Sequence, residues 1–227
     1  MPVFQLNEAL IFPPVELSEA NGLLAIGGDL APERLIMAYT NGIFPWFGED
    51  EPILWWSPDP RLVLFPAKLH VSRSMRQTLQ QGRFSVTYDR CFREVVTACR
   101  ASRPEEGETW ITEAMVDAYC RLYDQGIAHS VEAWHNGELA GGLYGVALGA
   151  CFFGESMFTN IRNASKAALI TLTRALQSRG FRLIDCQVDS PHLQSLGAEL
   201  LPRKIFLNLM TAALQQPVLP GRWIDWS

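Results

Sequence analysis

The stretch FRLIDCQVDSPHLQSLGAELLPR, residues 181–203, combines an apolar strand, a polar pair and a helix start. The strand carries Asp185 and Gln187 near its middle. Side chains two residues apart in a strand point to the same face, with Cα atoms roughly 6.5–7 Å apart. Ser190 and Pro191 then supply a cap and a first-turn proline, so a helix is expected to begin there. The stretch predicts a strand–helix unit in which a carboxylate lies beside an amide.

The Asp185–Gln187 pair is the first candidate for chemistry. A carboxylate on a mostly buried strand costs free energy unless a donor binds it. The nearest donor in sequence is the side-chain NH2 of Gln187, and that bond would fix the direction of the Gln187 carbonyl. A carbonyl held in this way can accept a hydrogen bond from an incoming amine. The alternative is that the pair only fastens a loop or a strand end.

Composition and charge restrict the class of protein. The chain has 227 residues, 48% of them hydrophobic and 19% charged, with a formal net charge of −5. This balance predicts a globular protein that can contact RNA only through a local basic patch. The five cysteines show no CxxC spacing and the four histidines are scattered, so we expect free thiols and no metal site. The N-terminus resembles no signal peptide and no run could span a membrane, which favours the cytoplasm.

The pattern along the chain predicts an α+β fold. The first part, residues 1–62, is rich in Pro, Gly and Trp and is expected to form a small N-terminal domain. The second part, 63–227, alternates strands and helices in a mixed sheet that is largely antiparallel at first. Helices are expected near 32–40, 72–81, 93–102, 112–125, 165–180 and after Ser190, and strands near 61–65, 84–89, 128–136, 137–149, 150–158 and 182–188. Asn136-Gly137 predicts a hairpin, and Thr112 and Ser165 are expected helix caps.

Several long and compositionally unusual strings resemble one known family. They include NGLLAIGGDL (21–30), GIFPWF (42–47), ILWWSPDPR (53–61), FFGESMF (152–158) and LIDCQV (183–188). The chain resembles the leucyl/phenylalanyl-tRNA–protein transferases over nearly its whole length. The resemblance implies a small N-terminal domain on a GNAT-like, acetyltransferase-type domain, and an enzyme without a cofactor. The implied activity moves Leu or Phe, and Met less well, from aminoacyl-tRNA to proteins that begin with Arg or Lys and so marks them for degradation.

The resemblance also implies roles for individual residues. Asp185 and Gln187 would be catalytic, and variants with Ala at either position would fold but lose most turnover. Glu155 would hold the donor's α-amino group beside the side-chain pocket. The implied side-chain pocket comprises Leu143, Gly154, Glu155, Met157, Leu169 and Ile184, and the implied aminoacyl-adenosine site comprises Tyr39, Trp46, Trp110 and Tyr119.

A basic strip follows from the charges alone. Lys68, Arg73, Arg76 and Arg83 lie in a segment, 60–88, that contains no acidic residue. Arg73 and Arg76 are three residues apart and share a helix face. This strip is the predicted tRNA-binding surface. The carboxylate that would bind the acceptor's Arg or Lys side chain remains open among Glu155, Asp185 and Glu199.

Two other functions are compatible with parts of the sequence. An acetyl-CoA-dependent N-acetyltransferase would use a similar scaffold, but the loop TNIRNASK (159–166) lacks the glycines that usually hold the CoA pyrophosphate. A non-catalytic RNA-binding module is disfavoured by the net charge and by the Asp185–Gln187 pair.

Overall fold

The computed structural model describes residues 3–102, 111–217 and 221–226. Its strands are β1 (Phe4–Leu6), β2 (Leu23–Gly27), β3 (Phe44–Pro45), β4 (Leu54–Trp56), β5 (Arg61–Leu64), β6 (Ser85–Tyr88), β7 (Ala128–His135), β8 (Glu138–Leu148), β9 (Cys151–Thr159), β10 (Leu183–Gln187) and β11 (Glu199–Leu201). Its α-helices are α1 (Pro32–Thr40), α2 (Arg73–Gln80), α3 (Phe92–Ala101), α4 (Glu113–Asp124), α5 (Ala164–Ser178), α6 (Pro191–Gln194) and α7 (Arg203–Leu214).

The strands form two sheets. A four-stranded sheet has the order β1-β2-β4-β3, and a seven-stranded mixed sheet has the order β11-β5-β10-β9-β8-β7-β6. Buried residues of α3, α4 and the small sheet pack on one face of the larger sheet, and those of α2 and α5 pack on the other. The predicted α+β fold, with a small N-terminal sheet and a larger mixed sheet, is confirmed.

The parallel pair β9–β10 creates the space for a site. The two strands pair from Leu183↔Cys151 to Asp185↔Phe153, and their hydrogen-bonded register ends there. Beyond that point the two strands no longer pair, at the carboxyl ends where ligands commonly bind in sheets with parallel strands. The rest of the larger sheet is antiparallel, and the β7–β8 hairpin turns at Asn136 and Gly137, both with positive φ as predicted.

The N-caps of the helices can be compared with those predicted from the sequence. The side chains of Thr112 and Ser190 accept hydrogen bonds from the backbone N–H groups of Met115 and Leu193, as predicted. The expectation for Ser165 is wrong, because α5 begins one residue earlier. Its cap is Asn163, which has a left-handed backbone with φ +76° and makes no side-chain capping bond.

The division of the chain at 62/63 stays a prediction. Strand β5 begins at Arg61 and belongs to the larger sheet, where it lies between β10 and β11. Within the described ranges, none of the helices has the length and apolar character needed to cross a membrane.

Candidate active site

A cavity of about 350 Å³ opens where β9 and β10 separate. The cavity wall includes Gln187 and Trp46. It also includes all six residues predicted to form the side-chain pocket, namely Leu143, Gly154, Glu155, Met157, Leu169 and Ile184. Most of this wall is apolar, and the polar side chains of Glu155 and Gln187 lie together in it. The cavity therefore combines an apolar pocket with a small polar group.

The predicted side-chain bond between Gln187 and Asp185 is wrong. A β-bulge follows Asp185, so that Asp185 pairs with Val63 and Gln187 pairs with Leu62. Gln187 also has φ +64°, a left-handed conformation that is uncommon for residues other than glycine. The bulge breaks the two-residue alternation on which the expectation depended. The Gln187 side-chain NH2 instead donates to Glu155 Oε1 at 2.9 Å.

Asp185 binds two other groups. Its carboxylate accepts two hydrogen bonds from the guanidinium of Arg61, from Nε at 2.8 Å and from Nη2 at 2.7 Å. Its Oδ1 also accepts the backbone N–H of Gln187 at 2.9 Å. Arg61 and Asp185 are both almost fully buried. Asp185 therefore compensates a buried cation and anchors the left-handed backbone of Gln187.

Glu155 is the centre of the polar group. Its Oε2 accepts a hydrogen bond from the Tyr119 hydroxyl at 2.7 Å, and Tyr119 is hydrogen-bonded to the hydroxyl of Tyr39. Burial raises the pKa of the Glu155 carboxyl from 4.5 to about 7, although hydrogen bonds from Tyr119, Tyr39 and Gln187 oppose the rise. A carboxyl group with this pKa can gain or lose a proton near neutral pH, as acid–base catalysis requires.

The four residues predicted around the adenosine have different positions. Trp46 lies at the cavity wall with 41% of its surface exposed, and its ring packs against Trp56. Tyr39 and Tyr119 are fully buried, and neither belongs to the cavity wall. The Tyr119 hydroxyl binds Glu155, and its ring packs edge-on against Tyr144 of the wall. Tyr39 reaches Glu155 through the Tyr119 hydroxyl. Trp110 lies outside the described residues.

Only part of the basic strip lacks an ion-pair partner among the described residues. Arg73 and Arg76 are exposed on α2, and neither forms an ion pair with any residue that the structure describes. Arg83 is exposed and its guanidinium lies over the Phe84 ring. Lys68 is bound by Glu199 at 2.7 Å, an acid from a distant part of the sequence. The positive surface therefore centres on α2 and its end.

Sequence reasoning missed several residues of the cavity wall. Phe44 comes from the small sheet, and its ring also stacks on the buried Arg61 guanidinium at 4.7 Å. Val188, Asp189 and His192 come from the turn and helix directly after β10. Their nearness to Gln187 in the sequence was the available signal, whereas nothing local indicated Phe44.

Comparisons with known proteins show the family of the chain. The family profile described as leucyl/phenylalanyl-tRNA protein transferase matches residues 63–211, and the profile of that family's N-terminal domain matches 28–59. The chain is 57% identical to the leucyl/phenylalanyl-tRNA–protein transferase of Desulfatibacillum aliphaticivorans, covering 98% of this chain and 96% of the relative. It is 52% identical to that of Myxococcus xanthus, covering 99% and 97%.

Two solved structures are similar at much lower identity. L-PGS from Bacillus licheniformis has a TM-score of 0.43 at 11% identity, covering 74% of this chain and 54% of that chain. A GCN5-related N-acetyltransferase from Kribbella flavida has a TM-score of 0.38 at 13% identity, covering 76% and 61%. These values are too low to support an argument about function. Identity above 50% over nearly the full length is sufficient, and the chain belongs to the leucyl/phenylalanyl-tRNA–protein transferase family and is an aminoacyltransferase.

Proposed function

We propose that the protein moves Leu or Phe, and Met less well, from aminoacyl-tRNA to the α-amine of proteins that begin with Arg or Lys. This transfer would mark the acceptor for degradation, in the cytoplasm where charged tRNA is made. The observation that carries the proposal is the cavity, in which an apolar pocket ends at the Gln187 amide and the Glu155 carboxyl.

The donor is proposed to bind in two parts. Its Leu or Phe side chain would occupy the apolar pocket, where the flexible thioether of Met157 can adapt to a branched or an aromatic guest. Its terminal adenine would stack on the exposed ring of Trp46, an interaction worth about 1–3 kcal/mol per base. Trp110 is kept as a second proposed contact to the adenosine.

The reaction is aminolysis of an ester that is already activated. A C–N bond forms between the acceptor amine and the acyl carbon, and the ester C–O bond to the tRNA breaks. The amine loses a proton, which the departing 3′ oxygen finally gains. Binding both substrates in line supplies much of the rate, since well-oriented intramolecular reactions gain up to about 7–11 kcal/mol.

The side chains have linked proposed roles in this step. The Gln187 carbonyl accepts a hydrogen bond from the amine, and Glu155 aims that carbonyl by binding the Gln187 NH2. Glu155 then accepts the amine proton, because it is the ionisable group of the wall that contacts Gln187. Asp185 is a positioning residue that anchors the Gln187 backbone.

The proposed role of Glu155 predicts a pH profile. Burial raises the carboxyl pKa to about 7, so only above that pH is the proton acceptor mostly ionised. The acceptor amine must also be neutral, and its reference pKa is about 7.7–8.0. Below pH 7 we expect log kcat/KM to rise with pH with a slope near two for the unmodified protein, and near one for Glu155→Gln. Equal slopes for the two proteins would contradict the role.

The same carboxyl predicts a change in stability with pH. Its pKa in the folded state lies above the ordinary 4.5, so the folded state binds the proton more tightly. Its contribution to the free energy of unfolding should therefore fall as pH rises from about 4.5 to about 7. Urea unfolding of Glu155→Gln should lack this decrease, whereas a decrease that persists in the variant must come from another group.

The positive surface on α2 is proposed to bind the tRNA body. We expect the double variant Arg73→Gln, Arg76→Gln to weaken tRNA binding and to reduce the slope of log K against log salt by about one for each phosphate that is no longer neutralised. Arg182→Gln is the matched control, because Arg182 is also exposed and forms no ion pair with the described residues. Equal salt slopes for the double variant and the control would exclude α2 as the tRNA-binding surface.

The side-chain pocket is tested by filling it. Met157→Trp places a larger ring in the cavity wall, and we expect kcat/KM for Phe transfer to fall about tenfold more than that for Leu transfer. Size mismatches in apolar pockets typically cost about 1–3 kcal/mol. Met37→Trp is the control, since Met37 is half-buried on α1 outside the wall. An unchanged Phe/Leu ratio would place the donor side chain elsewhere.

One assay tests the proposal against the acetyltransferase alternative. The purified protein is mixed with charged Leu-tRNA and a peptide that begins with Arg, and separately with acetyl-CoA and the same peptide. A product with one added Leu, and no acetylated peptide, is expected. Acetylation without Leu transfer would reverse the assignment.

A further inference from the structure

The carboxylates named from the sequence do not suit the acceptor's first side chain. Asp185 is already paired with the buried Arg61. Glu199 is paired with Lys68 and does not belong to the cavity wall. Glu155 is 8% exposed, and in the proposed mechanism it binds the Gln187 amide and receives the amine proton, so it does not also hold the side-chain cation. The acceptor's cationic side chain therefore needs another partner.

Asp189 has the required properties. It is exposed at the cavity wall, two residues after Gln187. Its Oδ1 accepts a hydrogen bond from the neutral side-chain amide of Gln194 at 2.7 Å. No Lys or Arg among the described residues forms an ion pair with Asp189, and none contributes to the wall. Its charge therefore has no ion-pair partner among the described residues, at the wall of a cavity that can admit a substrate.

We propose that Asp189 binds the guanidinium or ammonium group of the acceptor's first residue and so selects Arg or Lys. This inference rests on the proposed function. The α-amine that contacts the Gln187 carbonyl and the cationic side chain both belong to the acceptor's first residue. The Cα atoms of Gln187 and Asp189 lie no more than about 7 Å apart, a span that the long side chains of Arg and Lys can cover. Val188, 42% exposed in the wall between them, offers apolar contact for the aliphatic stem.

The contact between Asp189 and Gln194 predicts which acceptor side chains Asp189 distinguishes. Because Gln194 occupies Oδ1, mainly Oδ2 is available to the substrate, and a two-pronged Arg contact gains little over a single Lys contact. Asp189 should therefore distinguish a cation from a neutral side chain without distinguishing Arg from Lys. The effect should exceed that of an open surface pair, because two bound substrates exclude water from the cavity.

The test uses peptides that begin with Arg, Lys or citrulline, since citrulline has nearly the shape of Arg without its charge. We expect Asp189→Asn to lower kcat/KM for the Arg and Lys peptides about tenfold, with citrulline transfer and the donor KM unchanged. Asp189→Glu should restore much of the preference. Glu138→Gln, which removes the same charge outside the cavity wall, is the control.

Two results would overturn the inference in distinguishable ways. If Asp189→Asn retains the full preference for Arg over citrulline, another group binds the side chain while the proposed function stands. If the unmodified protein transfers Leu to none of these peptides, the proposed function fails and the inference fails with it.

Discussion

Gln187→Ala is expected to lower kcat for Leu transfer by about 100-fold, because the amine loses the carbonyl that directs it to the ester. The variant keeps the backbone N–H that donates to Asp185, so the strand retains its anchor. It also leaves the Tyr119 hydrogen bond to Glu155 intact. Single-turnover kinetics with purified Leu-tRNA and an Arg-peptide measure the loss separately from substrate binding.

Two further variants separate chemistry from structure. Gln187→Gly removes the same amide and fits the left-handed backbone, whose φ is +64°, without strain. It should lose as much turnover as Gln187→Ala, and its melting temperature should be similar to that of the unmodified protein. Gln177→Ala removes an exposed amide on α5 and should be fully active. Full turnover by either Gln187 variant would remove this residue from the mechanism.

Asp185→Ala is expected to destabilise the fold by about 3–5 kcal/mol, because it leaves the buried Arg61 guanidinium without its partner. In a protein of this size that loss corresponds to roughly 6–20 °C in Tm. This prediction differs from the expectation from the sequence that Asp185→Ala leaves folding largely intact, because that expectation did not include the pair with Arg61. Thermal and urea unfolding measure the change directly.

A second substitution identifies the cause. Arg61→Met added to Asp185→Ala removes the unpaired charge, and a buried ion pair replaced by apolar groups is often nearly neutral in stability. The double variant should therefore recover most of the lost Tm. It should remain slow in transfer, since the Gln187 backbone still lacks its anchor. Normal melting of Asp185→Ala alone would mean that the Arg61–Asp185 pair contributes little.

The limits of prediction from the sequence appear most clearly at Gln187. Periodicity correctly predicted the strand and the position of Asp185 on it, because the apolar pattern of 183–187 is local. It could not predict the bulge, which depends on pairing with Leu62 and Val63 more than a hundred residues away. As a result, the amide was assigned to the wrong carboxylate, and the partner of Asp185, Arg61, was missed.

The N-terminal and C-terminal parts were predicted less completely for similar reasons. The strands β1 to β4 are short and contain Pro, Gly and Trp, so they show no alternating pattern. Strand β11 has three residues, and it forms because β5 offers an edge. Helix α7 was also not predicted. One of its residues, Phe206, packs over the Arg61 guanidinium at 4.8 Å.

The side-chain pocket was predictable only through the resemblance to a family. Leu143, Leu169 and Ile184 are all buried, and from their patterns alone they are indistinguishable from core residues. The cavity exists because β9 and β10 stop pairing after Asp185, which is a property of two strands together. The hydrogen bonds that link Tyr39 to Tyr119 and Tyr119 to Glu155 likewise depend on three elements meeting.

Glu155 and Gln187 are proposed to act as one unit, and a double-mutant cycle on the transfer rate tests this most directly. Leu transfer from Leu-tRNA to an Arg-peptide is measured for Glu155→Gln, Gln187→Ala and the double variant. We predict that the double variant is no slower than the slower single variant, because either change alone disrupts the shared function. Losses that multiply in the double variant would show that the two side chains act independently and would contradict the account.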